Sequence, residues 1–364
     1  MKKHGLLWLL SVALGGCSLA TPNIVGCTAG NGLEPDCRYE NPEDLAPTPS
    51  GRFVLISEMG WHSTEGRRGR LSALRLPNTS SGLTRINELQ KIDLSDFVLD
   101  RREGWGVASC LPPQPANWVP HGIDLEYRSD QALALYVVAH GAREAIDMFE
   151  LTETESRPTL IWRGCVEAPP EGSFNDVVIL RSGGFWVSQT FPRSASLIPA
   201  GLRMQFLGYE PGFAYAWSAE RGFESIAGSE VGYGNGIEKS DDERYLFLNG
   251  YFSNRTIKVD VREGRRVGHI EVHAPDNLSW DTDGRLLIAS HEGSIADQLR
   301  CLGVVAESCG MRFNIVSADP ERFDTRIVLG NRGAPLGAAT VAVRVQGRLL
   351  LGTFAGDRIA WWQP

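Results

Sequence analysis

The chain has 364 residues, of which 42% are hydrophobic, and a formal net charge of −8 at neutral pH. That length can bury a sizeable core, either as one large all-β domain or as two ordinary ones. The acidic balance argues against nucleic acid as a partner, because a polyphosphate backbone attracts a basic surface.

In chain order, Lys2 and Lys3 precede an apolar run from Leu6 to Leu14. That run is shorter than the ~20 residues a spanning helix needs and reads as a signal peptide. The sequence LGGC, Leu14 to Cys17, resembles a bacterial lipobox, in which the chain is cut before the cysteine and the thiol carries lipid. Ser18 after it, rather than Asp, points to the outer membrane. Removing residues 1–16 takes away two lysines and no acid, so the mature charge becomes −10. No later run is apolar enough to span a bilayer, which makes the lipid the expected membrane anchor.

Six further cysteines, Cys27, Cys37, Cys110, Cys165, Cys301 and Cys309, are an even number in a chain bound for an oxidising compartment. Proximity favours Cys27 with Cys37 and Cys301 with Cys309, leaving Cys110 with Cys165, although sequence alone does not choose among the pairings. None has the CxxC spacing of a zinc or redox site.

Helical periodicity is nearly absent, while short apolar runs separated by Gly, Asp and Asn recur throughout. One phrase repeats: a polar or small pair, an apolar strand, a turn and a second apolar strand. It begins at Glu43 (EDLAPTPSGRFVLIS), His121 (HGIDLEYRSDQALALYVVAH), Asn175 (NDVVILRSGGFWVS), Asn235 (NGIEKSDDERYLFLNG), Asp276 (DNLSWDTDGRLLIASHEG) and Gly337 (GAATVAVRVQGRLLLGTF). Six copies predict an all-β, six-bladed β-propeller with four antiparallel strands per blade. The expected organisation is a signal peptide over 1–16, an N-terminal linker over 17–40 and the propeller over 41–364.

The innermost strand of a propeller blade begins near the central axis, so the first polar residues of several repeats converge. Those residues are Glu43, Asp44, His121, Asn175, Asp176, Asn235, Asp276 and Asn277. They are mostly oxygen ligands, which suit calcium better than zinc. Glu43 and Asp276 with three neutral amides balance one divalent ion and leave it a Lewis acid. Neighbouring strand residues point to opposite faces, so Asp44 and Asp176 can address a second ion. Asn and Asp also cap turns at strand starts, but Ser, Thr or Gly would serve there equally well.

At these positions the sequence resembles the paraoxonase and arylesterase family of calcium-dependent six-bladed propellers. The resemblance rests on PHGIDLEY, LYVVAH, FNDVVI, GNGIEKSDDERYLFL, PDNLSWD and TVAVRVQGRLLLGTF, in this order from about Glu43 to the C-terminus. It implies hydrolysis of lactones or aryl esters. It also implies a catalytic calcium on Glu43, Asn175, Asn235, Asp276 and Asn277, and a structural calcium on Asp44, Asp176 and the carbonyl of Ile123. His121 takes the place of the family's proposed general base and His140 that of its partner. A neutral imidazole can accept a proton from water near pH 7. Tyr233, His291, Thr340 and Trp61 are expected near the pocket.

Two features depart from the family's animal members. No cysteine follows Cys309, so ring closure is expected to rest on strand pairing, and FWVSQTF (Phe185 to Phe191) lacks the Asn, Asp and His found there in animal members. Two other readings stand beside the first: a sugar lactonase resembling the gluconolactonase group, and a non-catalytic envelope-binding propeller with structural calcium.

Overall fold

A computed structural model describes residues 21–61, 68–77, 85–304 and 307–362. The expected signal peptide and the lipidation residue Cys17 lie outside the described residues.

Six antiparallel sheets follow one another along the chain. Their innermost strands are β1 (Pro42–Pro47), β2 (Trp118–Tyr127), β3 (Phe174–Ile179), β4 (Gly234–Lys239), β5 (Pro275–Trp280) and β6 (Ala339–Val345). Each is followed by a hairpin to its second strand, as Asp44 opposite Ser57 in the first blade and Ile237 opposite Leu248 in the fourth. The hairpin turns carry the positive φ that the sequence anticipates, for example Gln346 at 48° and Gly347 at 79° between β6 and its partner. Among the described residues two short α-helices interrupt the pattern, α1 (Leu197–Leu207) in the third blade and α2 (Ile295–Cys301) in the fifth.

The second strand of each blade is apolar on both faces because it is sandwiched between neighbouring sheets. In Phe53–Glu58 and Leu286–His291 every residue is buried. The core is accordingly divided into six wedges between adjacent blades. Leu55 of the first blade packs with Leu135 of the second, and Leu287 of the fifth with Leu349 of the sixth. Burying such a leucine contributes roughly 1.5–3 kcal/mol. Apolar side chains fill the wedges, and the axis is left to polar ones.

The ring closes by strand pairing, as expected without a terminal disulfide. Leu33–Asp36 forms the outer strand of the sixth blade against Ile359–Trp362, with Leu33 opposite Trp362 and Asp36 opposite Ile359. The propeller therefore starts at Leu33, eight residues before the expected boundary at 41, and part of the expected linker belongs to the ring. The second blade has five strands rather than four, because Val98–Leu99 adds in parallel to Pro158–Glu167. All three expected disulfides form: Cys27–Cys37, Cys110–Cys165 and Cys301–Cys309. The first flanks the closing strand.

Candidate metal centre and histidine relay

Every inner strand is irregular at the same place. Its pairing register shifts between Pro42 and Asp44, Pro120 and Ile123, Phe174 and Val177, Gly234 and Ile237, Pro275 and Leu278, and Ala339 and Val341. The residues passed over are Glu43, His121 with Gly122, Asn175 with Asp176, Asn235 with Gly236, Asp276 with Asn277, and Thr340. A bulge frees residues from the ladder and re-aims their side chains, which explains how the adjacent Asp276 and Asn277 both serve the hub. Gly122 and Gly236 are required by close approach. A Cβ on Gly122 would lie 2.5 Å from the Asp176 Cα, and one on Gly236 would lie 2.6 Å from the Asn277 Cα.

The five side chains expected around the first ion are all buried: Glu43, Asn175, Asn235, Asp276 and Asn277. Four of them present an oxygen with no hydrogen-bond partner, namely Glu43 Oε2 and the Oδ1 atoms of Asn175, Asn235 and Asn277. A buried unsatisfied acceptor costs about 1–3 kcal/mol, a cost that a cation placed among the four would offset. Asn277 Nδ2 donates to Glu43 Oε1 at 2.7 Å, which turns its own oxygen away. Thr340 Oγ1 donates to the Glu43 carbonyl at 2.6 Å and Asn249 Nδ2 to the Asp276 carbonyl, fixing the backbone of both acids.

The electrostatics agree. Burial, reinforced by Asp44, Asp276 and Asp176, pushes the Glu43 carboxyl well above its ordinary value, and its bond from Asn277 only partly offsets this. Burial raises Asp276 to about 8. It also raises Asp44 to about 7 and, with Asp44 beside it, Asp176 well above the usual range. Among the described residues no Lys or Arg pairs with these four acids. No three His, Cys, Asp or Glu side chains converge as a metal site there, so the oxygen set depends on the asparagine amides. Buried carboxylates and amide oxygens without a protein cation fit a hard divalent ion such as calcium.

Asp44 and Asp176 sit one residue further along their strands and tie blades together. Asp44 Oδ2 accepts the Ile123 N–H at 2.7 Å, and Asp176 Oδ2 accepts the Ile237 N–H at 2.9 Å. Asp124, which the sequence reading did not single out, completes the series by accepting the Ile179 N–H at 2.6 Å. Each carboxylate oxygen so engaged keeps a second lone pair.

The two histidines meet beside the hub. His121 Nδ1 and His140 Nε2 are 2.8 Å apart, and His121 Nε2 lies 3.7 Å from Glu43 Oε1. His140 Nδ1 is 2.8 Å from Glu144 Oε2, a contact absent from the sequence-based set. Its only signal is a carboxylate four residues after the histidine, across the Gly141 turn.

The expected pocket residues separate. Tyr233 is half-buried, among Phe191, Tyr251 and Phe252, and Trp61 is half-buried as well. His291 and Thr340 are 2% and 1% exposed, so both support the acids from behind instead of lining an open surface. His291 Nε2 is 3.0 Å from the Ala339 carbonyl and 3.3 Å from Asp276 Oδ2, its Nδ1 is 3.1 Å from the Tyr251 hydroxyl, and burial lowers its pKa to about 4.

The model of the Arylesterase family matches residues 93–358, which span the second to the sixth blade and most of the hub. The chain belongs to the arylesterase family. Membership makes the chain a hydrolase acting on ester bonds. No curated protein matches it. Among solved structures, a luciferin-regenerating enzyme is 10% identical, with 92% of this chain and 96% of that one covered and a TM-score of 0.53. A gluconolactonase from Xanthomonas campestris is 16% identical, with 91% and 89% covered and a TM-score of 0.51. At these identities the likeness is one of fold, a six-bladed ring.

Proposed function

We propose that the protein is a calcium-dependent hydrolase of lactones or aryl esters, or of both, anchored by lipid on Cys17 in a bacterial outer membrane. The observation that carries the metal requirement is the set of four partnerless buried oxygens on Glu43, Asn175, Asn235 and Asn277. With Asp276 they make a five-residue set whose formal charge balances one calcium. Asp44, Asp176 and the Ile123 carbonyl would hold a second ion, supported by two buried acids without a cationic partner. When bound, the first calcium supplies a Lewis acid for the substrate's carbonyl oxygen.

The remaining chemistry belongs to the chain. His121 stands at the hub with Nε2 toward Glu43 and takes the proton of the water that attacks the carbonyl carbon. His140, hydrogen-bonded to Nδ1 of His121, holds that ring and shares the proton. Asn277 and Thr340 keep Glu43 from rotating away. The amide-rich hub excludes a competing lysine or arginine, so the local charge waits for an ion.

The test is a panel of phenyl esters, simple lactones and sugar lactones offered to the full-length protein with calcium and with excess chelator. Turnover of phenyl esters and simple lactones that vanishes in chelator and returns with calcium supports the reading. Turnover confined to sugar lactones would favour the gluconolactonase alternative, and no turnover with a stoichiometric metal would favour a binding propeller.

A further inference from the structure

We infer that Glu144 is the positioning residue that sets the tautomers of both histidines and thereby leaves the lone pair of His121 Nε2 facing the hub. The inference rests on the proposed role of the histidine pair. Glu144 opens the hairpin between Leu133–Gly141 and Ala145–Glu153, and its side chain is 9% exposed. Its two oxygens are both committed: Oε1 accepts the Phe174 N–H at 2.7 Å and Oε2 faces His140 Nδ1 at 2.8 Å.

A carboxylate can only accept, so His140 must carry its proton on Nδ1. The Nε2 of a neutral His140 is then a lone pair, which can pair at 2.8 Å only with a proton on Nδ1 of His121. His121 therefore has no proton on Nε2, the nitrogen 3.7 Å from Glu43 Oε1. One carboxylate thus decides, through two rings, which nitrogen meets the water. Glu144 also holds the backbone of Phe174, next to Asn175, so the relay and the third blade's ligand share one support.

Glutamine is the informative replacement, because it has one acceptor where two donors need one. The Phe174 N–H is fixed by the strand and would keep the amide oxygen. The amide nitrogen would then donate to His140 Nδ1, move that ring's proton to Nε2 and move the proton of His121 to Nε2 as well. The base would point its lone pair away from the hub; no metal ligand is altered, and the one charge lost is that of the Glu144 carboxylate itself, which Glu144→Asp retains. Misassigned tautomers of this kind fall within the range of general-base losses, on the order of 10²–10⁴-fold.

The experiment compares calcium-loaded full-length wild type, Glu144→Gln and Glu144→Asp by long-range ¹H–¹⁵N spectra of labelled histidines and by phenyl ester kinetics. The expected result is Nδ1–H on both rings in wild type and Nε2–H on both in Glu144→Gln. The kcat of Glu144→Gln should fall about 10²-fold or more with KM and calcium content unchanged. Glu144→Asp, which keeps two acceptors, should retain the wild-type tautomers and carries the test if the glutamine variant fails to fold. Unchanged tautomers in Glu144→Gln would overturn the inference, as would an Nε2–H His140 in wild type. Shifted tautomers with undiminished kcat would uphold the role of Glu144 and overturn His121 as the base.

Discussion

Asn277 donates its amide to Glu43 at 2.7 Å across a sequence separation of 234 residues, joining the fifth blade to the first at the axis of the ring. The bond fixes both the carboxylate and the amide, and it leaves Glu43 Oε2 and Asn277 Oδ1 as unpartnered acceptors in the same hub. On the proposed reading a bound cation would offset the cost of leaving these two acceptors unsatisfied.

Replacing Asn175 by alanine removes one of the partnerless oxygens. Without metal, Asn175→Ala should unfold no more easily than wild type, because a buried unsatisfied group has gone. With calcium at about 100 times its dissociation constant, wild type should gain about 2.7 kcal/mol and the variant clearly less. Melting curves in chelator and in calcium check this. An equal calcium gain in both proteins would exclude Asn175 as a ligand.

Leu135 is fully buried in the wedge between the first two blades. Leu135→Ala should destabilise the protein by about 2–5 kcal/mol, with ester hydrolysis by the folded fraction unchanged. Urea unfolding in calcium followed by activity at low urea separates the two effects.

The loop closed by Cys27 and Cys37 spans 10 residues and flanks the strand that completes the sixth blade. Replacing both cysteines by serine should cost about 2–3 kcal/mol by the chain-entropy account. Hydrogen exchange should rise first in Leu33–Asp36 and Ile359–Trp362. Uniform destabilisation of all six blades would show that the closing strand is not the weak point.

Asp297 gives the pH dependence. Burial alone would raise its pKa, but bonds from the Thr21 N–H and from the Ser294 hydroxyl and N–H outweigh burial and hold it at about 2. A depressed folded value stabilises above the unfolded pKa, near 4, and that contribution disappears as pH falls through about 2. Asp297→Asn should therefore narrow its stability gap to wild type between pH 4 and 2, measured by urea midpoints. A gap independent of pH would contradict the stabilising role of these bonds to Asp297.

The blade starts were legible because the repeat puts the same kind of residue at the same point of each inner strand. Glu43, Asn175, Asn235, Asp276 and Asn277 could be picked out before any geometry was known. Because neighbouring strand residues point to opposite faces, the adjacent Asp276 and Asn277 can share one ion only where the backbone is irregular; the bulges themselves belong to the pairing register, which a repeat pattern does not carry. Leu33–Asp36 was not legible: LEPD is only four residues long and contains a proline, which weakens a strand reading, and its partner is the far end of the chain. Glu144 escaped notice because its role arises from a turn that folds it back onto His140 and from a bond to the next blade, neither of which a repeat pattern encodes. His291 and Thr340 were placed near the hub, but sequence could not tell a pocket wall from a buried support.

The claim that the hub is a calcium centre is tested most directly by calorimetric titration of calcium into full-length protein stripped with chelator. The account predicts saturable binding of two ions, with the first lost in Asn175→Ala. The absence of any binding heat, in protein that is folded and fully active, would contradict it.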